Sequence, residues 1–214
     1  MVFDGFTQED FDVFAVEGLD ERMTDIKSIV RPKLEALGEI FAEKLSAKTG
    51  EPMYYHVAKH ARRKVNPPDD TWVAFANDKR GYKKLPHFQI GLFGSHVFIW
   101  FAVIYESPVK KPLANEFQEQ INDITQRIPE HFHWSVDHTK PEAVNHGDLS
   151  EDELERMIER LGSVKKAELL CGLQIASDDP RLQDGDEFIA TVEHVFDTVL
   201  PLYEAASHIY TYQS

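Results

Sequence analysis

The chain predicts an α+β fold, a largely antiparallel sheet with helices packed on one face. Three observations carry this. Strand-like segments follow one another between residues 53 and 105, joined by short loops. Apolar residues return at helical spacing before and after that block. Neighbouring strands with short connections pair antiparallel, and helices segregated from them pack on the sheet as a second layer.

In order, Thr7-Gln8-Glu9-Asp10 reads as a helix start, with Thr7 as cap and acids in the first turn. Met23, Ile26, Val30, Leu34, Leu37, Phe41 and Leu45 then form one apolar stripe, which Thr49-Gly50 ends. Pro32 lies within it, so the spacing predicts a kink or a fresh helix there. The period changes to two at Met53, Tyr55 and Val57. A β-branched and aromatic run covers 71–77, and Phe88, Ile90 and Leu92 alternate with His87, Gln89 and Gly91. Val97 to Tyr105 is almost wholly apolar, as a central strand covered on both faces would be. Gly94-Ser95 predicts a two-residue hairpin loop of type II′.

Helical spacing resumes at Leu113, Phe117, Ile121, Ile124 and Ile128. Phe132, Trp134 and Val136 predict a short strand, and 137–147 a polar loop. Ser150-Glu151-Asp152-Glu153 is a capping box opening a helix that Gly162 closes. Ala167, Leu169, Cys171, Leu173 and Ile175 predict a strand. Phe188, Val192, Val195, Val199 and Leu202 predict the last helix, with a bend at Pro201. No repeat, linker or low-complexity tract divides the chain, so residues 1–214 read as a single domain.

Composition narrows the function classes. Cys171 is the only cysteine, which excludes an internal disulfide and multi-cysteine zinc sites. The start, Met1-Val2-Phe3-Asp4-Gly5-Phe6, has neither a basic leader nor an apolar run of signal length. No run approaches the roughly 20 apolar residues of a membrane span. A cytoplasmic location without membrane association is the expectation.

The net charge is -14, yet it is unevenly spread. Residues 1–52 hold 6 Lys and Arg against 12 Asp and Glu, and residues 112–214 hold 7 against 21. Residues 53–111 hold 10 against 4. The total opposes nucleic-acid binding, which rests on phosphate neutralisation. The middle segment attracts an anion at short range.

That segment contains the candidate site. His60, Arg62, Arg63 and Lys64 are expected at the end of the first strand, before the stiff Asn66-Pro67-Pro68 turn. Arg80, Gly81, Tyr82, Lys83 and Lys84 form the next basic loop, with Gly81 free to take a positive φ. Strand alternation puts His87 and Gln89 on the sheet face away from the helices. That face reads as polar: either solvated or the floor of a ligand cleft. Arginine grips phosphate or carboxylate bidentately, lysine adds point charge, and Tyr82 or Trp72 offers a packing surface. The assigned ligand-binding residues are His60, Arg62, Arg63, Arg80, Tyr82, Lys83, Lys84, His87 and Gln89. The partner they imply is a small anionic ligand. Simple pairing of these cations with the acidic helices is the bland alternative.

Two further function classes stay open. His131 and His133 alternate on one predicted strand, and with His87 they could serve a metal-dependent or histidine-based hydrolase or transferase. A protein or nucleic-acid interaction domain is the other. The sequence has no nucleophile elbow, phosphate loop, dinucleotide fingerprint or His-Glu-x-x-His motif. No cofactor, resident metal or catalytic residue is therefore assigned. Cys171, on the apolar side of its strand, reads as an inert buried thiol.

Longer blocks carry a resemblance: "FTQEDFDVF" from Phe6, "RPKLEALG" from Arg31, "HARRKVNPPDDTWVAF" from His60, "RGYKKLPHFQIGLF" from Arg80 and "HVFIW" from His96. Over essentially the whole chain the sequence resembles the YktB-like family of uncharacterised bacterial proteins. The resemblance implies an α+β domain of cytoplasmic proteins and supplies no activity or site residue.

Overall fold

A computed structural model describes residues 3–213; Met1 and Val2, where the reading for a leader begins, and Ser214 lie outside them. The N-terminal segment folds on local chemistry. Thr7 caps α1 (Gln8–Asp12), donating its backbone N–H to Asp10 at 2.7 Å. The apolar stripe from Met23 runs through α2 (Leu19–Asp25), one π-helical stretch (Ile26–Val30) and α3 (Arg31–Thr49). The π stretch falls just before Pro32, which cannot donate to the preceding turn, so the break takes the form of a widened turn. Gly50, at φ 72°, closes α3 in the left-handed conformation.

Seven strands follow: β1 (Tyr54–Val57), β2 (Asp70–Ala76), β3 (His87–Phe93), β4 (His96–Val103), β5 (His133–Ser135), β6 (Val144–Asn145) and β7 (Leu169–Ala176). They form one sheet in the order β1-β2-β3-β4-β7-β5-β6, antiparallel at every pairing. The two-residue loop Gly94-Ser95 joins β3 to β4, with Phe93 opposite His96. Neither loop residue has a positive φ, so the expected type II′ turn is not the one used.

Between β4 and β7 come α4 (Lys110–Glu119), α5 (Ile121–Arg127) and α6 (Glu151–Ser163); α7 (Gly185–Gln213) ends the fold and continues through Pro201. Gly162 lies inside the last turn of α6 rather than closing it. A Cβ there would come within 2.8 Å of Ala114, so the glycine lets α6 approach α4 closely.

The alternation of β2, β3, β4 and β7 turns Val73, Phe75, Phe88, Ile90, Ile99, Phe101 and Cys171 toward the helices. There α3 and α7 bury Leu37, Phe41, Val192 and Phe196 against them. Phe88 stacks on Tyr203 at 4.6 Å between ring centroids.

The other sheet face corrects the expectation of a polar surface. Phe93, Phe98, Trp100, Ala102, Ile104 and Leu170 form a second apolar cluster on it. Every position of β3 and β4 is buried. Three loops fold back over this face. His60 of the first meets Trp72, Tyr82 of the second meets His87, and Ala143 of the third packs on the cluster.

Candidate functional site

The loop of residues 77–86 is built to stand over the end of β3. The Asp78 carboxylate accepts from the Arg80 backbone N–H at 2.8 Å, a local turn that fixes the tip. His56 Nε2 on β1 binds the Asp78 carbonyl at 2.9 Å, tying the tip to the sheet edge. The loop folds inward at Tyr82. Its hydroxyl accepts from Trp72 Nε1 at 2.9 Å, and its ring lies edge-on to His87 at 4.8 Å. Burial pushes the Tyr82 phenol up to about 12, so it stays a neutral hydroxyl with its own proton to donate.

His87 and Gln89 do not reach solvent. His87 is wholly buried, donating from Nδ1 to the Leu85 carbonyl at 2.8 Å and accepting at Nε2 from the Gln89 amide at 2.8 Å. Burial holds its imidazole down to about 3, so it is neutral, as this bonding pattern requires. The pair supports the loop from below.

A cavity of about 550 Å³ opens beside the loop. Arg80, Tyr82, Lys83 and Lys84 line it, as do His56 and Lys59 from the end of β1. Asp78 and Glu106 are the acids in its wall, leaving four cations against two carboxylates. Lys83 lies 3.5 Å from Glu106. Among the described residues Lys59, Arg80 and Lys84 have no ion-pair partner.

The nine residues assigned from sequence therefore divide. Arg80, Tyr82, Lys83 and Lys84 share the cavity, while His87 and Gln89 lie beneath it. His60, Arg62 and Arg63 belong to the separate loop 58–69 and do not line it. β1 ends at Val57, so they do not end a strand as expected. Arg63 donates to the Pro67 carbonyl at 3.1 Å, and Arg62 is exposed. His60 sits at φ 50° with its ring edge-on to Trp72, and burial with the nearby Arg63 and Arg31 charges holds it down to about 4. Gly81 does not use the positive φ open to it. His56 and Lys59 were missed. Their signal was the β1 alternation for His56 and the start of the basic run for Lys59.

Burial, with the nearby His131 charge, holds His133 below its ordinary value, and among the described residues neither histidine belongs to a group of three potential metal ligands. His131 is exposed in the turn before β5, and His133 accepts from the Gln174 backbone N–H at 3.4 Å. His146 is held structurally, accepting from Trp134 Nε1 at 3.0 Å.

Comparison with known proteins gives the chain its place. The family model described as "Domain of unknown function (DUF1054)" matches residues 6–203. The chain belongs to the DUF1054 family. DUF1054 relatives include a UPF0637 protein of Bacillus velezensis, 57% identical over 198 residues that cover 92% of this chain and 94% of its own. A UPF0637 protein of Bacillus licheniformis is 53% identical over 204 residues, covering 95% of this chain and 97% of its own. One from Bacillus cereus is 55% identical over 203 residues, covering 95% and 98%. The YktB-like resemblance points to this same DUF1054 family. A solved conserved hypothetical protein from Pyrococcus furiosus aligns with 84% of this chain and 99% of its own at 16% identity and a TM-score of 0.38, too slight a likeness to carry fold or function. No described helix of this DUF1054 chain is long and apolar enough to cross a membrane.

Proposed function

We propose that the chain is a binding module for a small anionic ligand, phosphorylated or carboxylated, held in the cavity beside residues 77–86. One observation carries the reading: four cationic side chains line a single cavity in a chain whose net charge is -14. Surface cations scattered for solubility have no reason to gather so. A volume of about 550 Å³ lies within the range of small-molecule sites.

In this reading Arg80 grips the anion, and Lys59, Lys83 and Lys84 supply field. The Tyr82 hydroxyl donates to the ligand while its ring packs on the remainder. His87 and Gln89 act indirectly, by fixing Tyr82 and Leu85. Arg62 and Arg63 contribute only as screened charge through space, and His60, held neutral, contributes none. Residues 1–214 work as one domain in a reducing cytoplasm, where the buried Cys171 thiol stays inert. Nucleic acid is a poor partner for so acidic a chain.

A thermal-shift panel with sulfate, nucleotides and sugar phosphates tests this. A ligand at a hundred times its Kd adds about 2.7 kcal/mol. For a chain of this size that raises Tm by about 5–10 °C. An Arg80→Glu, Lys84→Glu variant is expected to keep the unliganded Tm and lose the gain. Absence of any ligand-dependent shift, or an equal shift in the variant, removes the proposal.

A further inference from the structure

A second cluster lies on the same sheet face, across Trp72 from the first, with the Trp72 and His138 ring centroids 6.4 Å apart. In the β5–β7 pairing Ser135 stands opposite Leu170. Two residues further along, the antiparallel register brings Asp137 toward Glu168 on the same face. His138 follows directly and closes the group. One donor atom from each of Asp137, His138 and Glu168 lies within 4.8 Å of the others.

The donors are already oriented. Glu168 is only 4% exposed, and its Oε2 accepts from the His138 backbone N–H at 2.9 Å and meets His138 Nδ1 at 2.7 Å. Its Oε1 accepts from the Tyr105 backbone N–H at 3.3 Å. Asp137 Oδ1 accepts from the Thr139 backbone N–H at 3.0 Å and from its hydroxyl at 2.6 Å. The Tyr105, His138 and Thr139 backbone N–H groups are outer partners of the kind that fix metal ligands in place, and a bound ion would replace the His138 Nδ1–Glu168 Oε2 contact.

The group opens onto space. All three residues line a cavity of about 690 Å³, with Tyr105, Arg160 and Lys166 in its wall. Asp70, 6% exposed, hydrogen-bonds to no other residue among those described, and the strongest charge acting on it is that of His138. Its carboxyl bonds its own backbone N–H and lies behind the cavity wall, close enough to feel the His138 charge.

We propose that Asp137, His138 and Glu168 form a divalent transition-metal site, with the cavity as the space for the remaining ligands of the ion. One imidazole and two carboxylates suit ions of the zinc, manganese and iron class. Arg160 and Lys166 in the same wall would favour an anionic co-ligand on the metal.

Chelator-stripped full-length protein, titrated calorimetrically with Zn²⁺ and in parallel with Mn²⁺, tests the site. One ion per chain is expected, with affinity reduced at least 10-fold in Asp137→Asn and at least 100-fold in Glu168→Gln. Should Glu168→Gln fail to fold, the partly exposed Asp137→Asn decides the matter. Failure of both ions to saturate at one per chain, or unchanged affinity in folded Asp137→Asn, overturns the proposal. The anion site beside Tyr82 is untouched by these variants, so the two readings fail separately.

Discussion

Gly172→Ala is expected to destabilise the chain by at least about 4 kcal/mol, beyond the ordinary range for a single substitution. Gly172 lies on β7, between Trp100 of β4 and His133 of β5. A Cβ built there falls 1.9 Å from the Ile99 carbonyl oxygen and 3.0 Å from the Trp100 ring. The nearest obstacle is backbone of the middle strand, not the tip of a flexible side chain. Relief therefore requires β4 and β7 to part, and both sheet faces are packed. Gly81→Ala is the matching control. Nothing lies within 4 Å of a Cβ at Gly81, and its φ is not positive, so the change should stay within about 0.5 kcal/mol. Urea denaturation of the two variants measures the contrast. Equal stabilities would show that the centre of the sheet is not packed as described.

The second large effect is acid sensitivity at His87. Burial is the main cause of its depression to about 3, with the His138 and His56 charges acting in the same direction and the Leu85 carbonyl opposing. The unfolded imidazole takes up its proton near 6.5, whereas the folded one does not until about 3. Stability from this residue is thus complete above pH 6.5 and lost as the pH falls. Between pH 7 and 5 the loss is about 2 kcal/mol. His60 and His96, each held down to about 4 chiefly by burial, add losses of the same sign. Asp70 opposes them. Burial raises it to about 7, so its contribution is lost as the pH rises from 3.8 through 7. His138, raised by Glu168 against the cost of its own burial, also favours the folded state at lower pH.

The single-residue comparison isolates His87. His87→Asn can keep an N–H for the Leu85 carbonyl and cannot titrate. Its stability should fall by about 2 kcal/mol less than that of the parent chain between pH 7 and 5. Parallel pH profiles would contradict the buried neutral imidazole.

Much of the scaffold is readable in one dimension because it rests on local chemistry. The stripe from Met23 to Leu45 and the Ser150–Glu153 box each depend on neighbours a few residues away. The β3–β4 hairpin could be placed for the same reason. The covered second face could not be read. Alternation puts His87 and Gln89 there, but only the return of Tyr82 onto Trp72 and His87, and of His60 onto Trp72, decides that they are roofed. Those contacts depend on how loops pack, and loop periodicity carries no such signal.

The candidate sites divide along the same line. The basic run around Arg80 is visible as charge, so Arg80, Tyr82, Lys83 and Lys84 of the cavity wall could be named. Lys59 and His56 join it only because β1 pairs with β2 and brings another strand alongside. Glu168 and Asp137 are 31 positions apart and meet because β7 lies between β4 and β5 in the sheet, an order no local pattern encodes.

Calorimetric titration of inorganic pyrophosphate into the full-length chain, at low and at physiological salt, tests the central claim most directly. The cavity beside Tyr82 predicts saturation at one per chain, weaker binding at the higher salt, and at least a tenfold loss of affinity in a folded Arg80→Gln, Lys84→Gln variant. No saturable heat, or an affinity indifferent to both salt and those two side chains, would contradict an anion site there.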